Sequence, residues 1–134
     1  MSKINTGLIP MDFIKEQLKD AYSTTETLTN KTFLNKPVYR KVIPFSSLSS
    51  STRVSHNINN FGILVDVSGR FTRSDTVGSS YPLIKLEVDS TFFTQWYFGI
   101  ESVSTTEVNF SIGTSILPKI DSGYIILEYT KTTD

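Results

Sequence analysis

From Lys31 to the C-terminus the apolar residues recur at every second position, the mark of strands that turn one face inward. In "KPVYRKVIPF" Val38 and Val42 fall on one face and Tyr39 and Ile43 on the other, and the flanking Pro37 and Pro44 place this strand near a sheet edge. "FGILVDVSGRF" sets Phe61, Ile63, Val65 and Val67 against Gly62, Leu64 and Asp66, with Ser68-Gly69 read as a turn. "SSLSSST" and "TRSDTVGSS" read as polar loops. "YPLIKLEVDS" points Ile84, Leu86 and Val88 inward and Lys85, Glu87 and Asp89 to water. "EVNFSIGTSI" alternates Val108, Phe110 and Ile112, with a bend at Gly113. In "YIILEYT" Ile125, Leu127 and Tyr129 share one face and Tyr124 and Ile126 the other, so this last run, apolar on both faces, is expected in the interior of a sheet.

The first 26 residues follow a different period. Met11, Ile14, Leu18 and Ala21 recur at helical spacing, with Lys15, Glu16, Lys19 and Asp20 on the opposite side. A helix of about three turns is marginal alone and needs a surface, either its own core or a neighbour. The chain therefore divides into an N-terminal arm, residues 1–26, with a short amphipathic helix, and a β-head, residues 27–134. Short strands separated by Gly, Pro, Ser and Asp predict an all-β antiparallel sandwich, jelly-roll-like, although a closed barrel would bury the same alternating faces. An arm at one end and a core strand at the other suggest a module anchored by its N-terminus and displayed at its C-terminus.

Composition narrows the partners. At 134 residues the chain is long enough for one domain with its own core. It has no cysteine, which excludes disulfides and thiolate metal sites. Thirteen basic residues balance thirteen acidic ones, so no net field draws in nucleic acid. The sequence has neither an apolar run long enough to span a bilayer nor the pattern of a secretory signal, so membrane insertion is not expected. Serine and threonine number 35, a hydroxyl-rich surface at home on pleated strands.

Candidate chemistry is sparse, and no enzymatic activity or cofactor is expected. The single histidine, His56, sits in polar "RVSHNINN" without a second histidine to share a metal, and reads as an exposed loop or strand-end residue. Glu87 and Asp89 fall on one side of a strand, about 7 Å apart, and read as a solvated face. Trp96 and Tyr97 are adjacent, so in a strand one faces in and the other out. Either Tyr97 is exposed for a sugar ring or a neighbouring subunit, or both are buried between layers. Arg40 and Lys41 likewise point to opposite faces, and one of them is expected to pair with Glu128 or Asp66.

"KPVYRKVI" and the closing "GYIILEYTKTTD" together resemble the C-terminal head modules of bacteriophage fibre and receptor-binding virion proteins. Lys36, Pro37, Tyr39, Arg40 and Lys41 match that family's strand, Phe33 its leading aromatic, and Glu128, Tyr129, Thr130, Lys131 and Thr132 its ending. One departure stands out: the family's hairpin offers an Asp-Gly turn, whereas here Asn35 runs directly into Lys36, which argues against a tight primed turn. The resemblance implies a homotrimer of β-sandwich heads on a virion assembled in the host cytoplasm. It implies an arm, with Met11, Ile14 and Leu18, that binds other capsid or tail proteins. It implies that Tyr39, Arg40, Trp96 and Tyr97 are candidates for subunit or ligand contact, and that three-fold packing covers Tyr39, Ile43 and Tyr97. A carbohydrate-binding module for host-wall glycans is the alternative.

Overall fold

A computed structural model describes residues 22–46, 48, 52–85 and 98–134. The arm residues Met11, Ile14 and Leu18, the carboxylates Glu87 and Asp89, and the pair Trp96 and Tyr97 lie outside the described residues. Within them the chain forms β1 (Thr27–Phe33), β2 (Lys36–Ser46), β3 (Arg53–Ser55), β4 (Phe61–Arg73), β5 (Thr76–Pro82), β6 (Ile84–Lys85), β7 (Phe98–Val103), β8 (Glu107–Ile112) and β9 (Ile120–Lys131). The only helical element among the described residues is a 3-10 turn, Leu117–Lys119.

The strands make two sheets, one of five in the order β1-β2-β9-β4-β5 and one of four in the order β3-β8-β7-β6. All described pairings are antiparallel except β6 with β7. The protein is thus an all-β, sandwich-like molecule. Alternation builds its core: Ile43 and Phe45 of β2, Val67 and Phe71 of β4, and Ile125, Leu127 and Tyr129 of β9 face inward. They meet Phe98, Ile100, Val108 and Phe110 from the smaller sheet. Phe98 is the hinge of this contact, with ring centroids 5.8 Å from Phe45, 4.9 Å from Phe71 and 5.1 Å from Phe110. As its apolar pattern predicts, β9 is interior, bonded to β2 on one edge and β4 on the other.

β2 lies second from the edge of the large sheet, between β1 and β9, so it is near an edge as its two prolines predict, while other expectations are corrected. Pro44 is tolerated because its nitrogen points toward the β1 side, where Ser23, bonded through its carbonyl to the Val42 amide at 2.9 Å, is the last neighbour. Ser68-Gly69 is not a turn: β4 runs through it to Arg73, and the chain reverses at Ser74-Asp75 into β5, a strand hidden in what reads as a polar loop. Gly69 is required by crowding, because a Cβ there would lie 2.6 Å from both the Leu83 side chain and the Tyr124 carbonyl. Leu83 is where the chain passes from one sheet to the other, its amide donating to the Gly69 carbonyl at 2.9 Å. Alternation in β4 also fails near its start, where irregularities in pairing with β9 fall between Phe61, Leu64 and Asp66. Each extra residue inverts the parity, so Leu64 packs on the core and Ile63 is exposed.

The β1–β2 turn is tight and primed without any glycine. Phe33 pairs with Lys36, and the two residues between them, Leu34 and Asn35, have φ of 52° and 65°. His56 is likewise not an exposed loop residue: it is 1% exposed. Its Nε2 bonds the Ser104 carbonyl at 2.9 Å and its Nδ1 accepts the Ile58 amide at 3.1 Å. Its ring stacks on Phe61, Phe61 on Tyr129, and Tyr129 on Tyr39. Ile43 lies in the core of its own chain, so it is not available to a neighbouring subunit.

Candidate functional site

The outer face of the five-stranded sheet, turned away from the smaller sheet, carries the most distinctive arrangement among the described residues. Register dictates which side chains share it. Arg40, Glu128 and Asp66 make a first cross-strand row, and Val42, Ile126 and Ser68 a second. Pro44, Tyr124, Arg70 and Pro82 make a third, and Ser46, Ser122, Thr72 and Ser80 a fourth. Successive rows are about 6.7 Å apart along the strands. Within three strand repeats the surface passes from charged to aliphatic to aromatic and cationic to hydroxylic.

The Arg40 and Glu128 part of the charged row is covered, while Asp66 is exposed. Four residue steps of β1, from Leu28 to Thr32, oppose two of β2, from Tyr39 to Pro37, so β1 arches out of register. The arch carries Lys31 over to Glu128, with Nζ 2.9 Å from the carboxylate. It also lets the Thr29 hydroxyl donate to the Val38 carbonyl at 2.7 Å. Arg40 donates from Nε and Nη2 to Glu128 Oε2 at 2.9 and 2.7 Å, which makes the ion pair that the sequence predicts. Burial pushes the Glu128 carboxyl up, but the bonds from Lys31 and Arg40 outweigh it and hold the group below its ordinary value. The Tyr22 ring lies 4.4 Å from the Arg40 guanidinium and closes the row from above. Lys41, on the inner face, donates instead to the carbonyls of His56 and Asn57.

Beyond that row the described residues leave the face open. A groove of about 390 Å³ runs between Tyr22, Val42, Tyr124 and Ile126. A second of about 300 Å³ lies between Ser68, Arg70, Pro82 and Tyr124, and a third of about 190 Å³ between Arg70, Thr72, Ser80, Ser122 and Tyr124. All three meet at Tyr124, which is 38% exposed. Arg70 is held across β5, Nε donating to Ser80 Oγ at 3.1 Å and Nη2 to the Ser80 carbonyl at 3.0 Å.

The predicted contact residues are distributed differently. Tyr39 is half-buried, stacked 6.2 Å from Tyr129, and its phenol is raised first by a hydrogen bond with Asp134 and then by burial. Arg40 is buried in its pair with Glu128. The two stretches that carry the family resemblance are neighbours in the sheet, joined by Tyr39 opposite Tyr129 and Arg40 opposite Glu128. They make one structural unit. Sequence reasoning missed Tyr124, Ile126 and Arg70 as surface groups. The signal was present in the polar Ser68 and Arg70 of "VSGR", which mark a solvated face beside the apolar second face of β9.

The fold and face define a compact all-β module with an open, chemically graded sheet surface. No known protein family, curated protein or solved structure matches the chain.

Proposed function

We propose that the chain is a structural, non-enzymatic bacteriophage virion protein, a trimeric head or tail fibre component whose N-terminal segment binds other capsid or tail proteins and whose β-head is displayed. The observation that carries this reading is the clamped exit of the N-terminal segment. Tyr22 stacks on Arg40, the Ser23 carbonyl takes the Val42 amide, and Glu26 accepts the Tyr129 hydroxyl and Lys131 Nζ, each at 2.7 Å. The polypeptide thus leaves the head in a fixed place on its central strands, as a module tethered through its N-terminal side requires. The resemblance in β2 and β9 supplies the virion setting. The nested pairs β2 with β9 and β3 with β8 support a jelly-roll-like winding of the two sheets.

Trimer contact is assigned to the end of the large sheet where the β1–β2 turn, the start of β4 and the finish of β9 converge. Leu34 and Ile63 are exposed there, and unpartnered large apolar groups gathered at one end favour association. Sedimentation equilibrium of the full chain at micromolar concentration is expected to give three copies, and a stable monomer would overturn the reading. The second reading, a carbohydrate-binding module, draws on the exposed Tyr124 and Arg70.

A further inference from the structure

We infer that the outer face of the five-stranded sheet is a binding site for an acidic polysaccharide strand, with a sugar ring against Tyr124 and its carboxylate or phosphate on Arg70. The inference gives a ligand class to the second reading above and rests on that reading, not on trimer formation.

Three features of the face converge on this chemistry. The first is the platform: Pro44, Tyr124 and Pro82 lie in one cross-strand row, next to Val42 and Ile126 in the row before. A pyranose presents a C–H face to such a surface and keeps its hydroxyls at the rim. The second is the rim itself. Ser122, Thr72 and Ser80 occupy the next row, with Thr72 Oγ1 3.2 Å from Ser122 Oγ. Hydroxyls both donate and accept, so they match the mixed polarity of sugar hydroxyls.

The third feature is charge. Arg70 is exposed, and its two bonds to Ser80 use two of the five guanidinium N–H groups, which leaves three for a ligand. Because Ser80 already holds the guanidinium, little rotamer freedom is lost on binding. Among the described residues the nearest carboxylate of this face along β4 is Asp66, four positions away, or about 13 Å. Among the described residues no carboxylate of β4 neutralises the positive charge at the centre of the face, which favours an anionic ligand over a neutral one. A nucleic acid fits poorly, since one arginine among hydroxyls is no polycationic track and the chain carries no net charge.

The test is calorimetric titration of the full chain with three probes of matched length: a uronic-acid oligosaccharide, a phosphate-bearing oligosaccharide of pyranose units and a neutral glucan. One of the two anionic probes is expected to bind, and which one does identifies the acidic group. Arg70→Gln and Tyr124→Ala should each weaken that binding by about tenfold to a hundredfold, with Arg70→Lys retaining part of it. Both sites are on the surface, and unchanged thermal unfolding of the variants confirms that the fold is intact. Binding unaffected by either change would overturn the inference. So would equal affinity for the neutral glucan, no anionic binding at millimolar ligand, or loss of self-association on Tyr124→Ala, which would make this face a subunit interface. Failure of this test leaves the sedimentation result unaffected, so the two readings fail separately.

Discussion

Leu34 combines a bulky side chain, 71% exposure and a positive φ. A left-handed leucine costs on the order of 1–2 kcal/mol, and among the described residues this one recovers little by burial. The type I′ turn it occupies accepts Asn-Gly readily. Replacing Leu34→Asn together with Asn35→Gly should therefore raise head stability by about 1 kcal/mol, read by thermal unfolding of dilute protein. If Leu34 is an inter-subunit anchor, the same double variant should form trimers less readily. Gly123 has the opposite constraint. A Cβ there would lie 2.4 Å from the Arg70 carbonyl and 2.5 Å from the Phe45 ring. Phe45 packs in the space that the missing side chain leaves. Gly123→Ala is expected to destabilise the fold by about 2–3 kcal/mol, and denaturant unfolding with no loss of stability would refute the crowding. His56 is a third case: with one ring nitrogen donating and the other accepting, it joins the segment after β3 to the β7–β8 turn. A lone histidine in a polar run gave no hint of this, because the Ser104 carbonyl that ties it to the other turn is a backbone group 48 positions away, and only the Ile58 amide is local.

At the scale of elements, the β2–β9 pair is the unit on which both the fold and the N-terminal exit depend. Arg40 and Glu128 are directly opposite and buried, with Lys31 arching in from β1. Removing one partner of a buried pair leaves the other charge uncompensated, at about 3–5 kcal/mol. Glu128→Gln should approach that cost near neutral pH. The acid dependence has a definite sign. The unfolded glutamate takes up its proton at about pH 4.3, whereas the folded group does so only at lower pH. The stability it contributes is thus complete above the unfolded pKa and is lost as pH falls through the folded one. Equilibrium unfolding between neutral and acid pH should show this loss in the native chain and a flatter profile in Glu128→Gln. Other elements show where periodicity fails. In β4 the irregular pairing near Leu64 inverts the inward set, and a two-residue polar turn conceals β5. Neither is written in the hydrophobic pattern, because a bulge is chosen by the partner strand and not by the strand that bulges.

Across the whole molecule, the two sheets treat their surfaces unequally. The inner face of the large sheet packs on phenylalanines from the small one, while among the described residues the outer face is covered at Arg40 and Glu128 and open beyond them. Alternation along β9 read correctly as an interior strand with two apolar faces. It did not say that one of those faces would remain open, since pairing on both edges and covering of both faces are separate conditions. By itself the sequence determined the all-β character, the inward set of β8, the two apolar faces of β9, and that one of Arg40 and Lys41 pairs with a carboxylate such as Glu128 or Asp66. These follow from local period and from opposite charges on strands. Only the tertiary structure decided that the two resemblance stretches are hydrogen-bonded neighbours and that Leu34 and Ile63 share an end of the sheet. It also decided that Tyr124 and Arg70 stand side by side. Cross-strand register sets those relations, and register is a property of pairs of segments, fixed by how their inward faces pack and invisible in either segment alone.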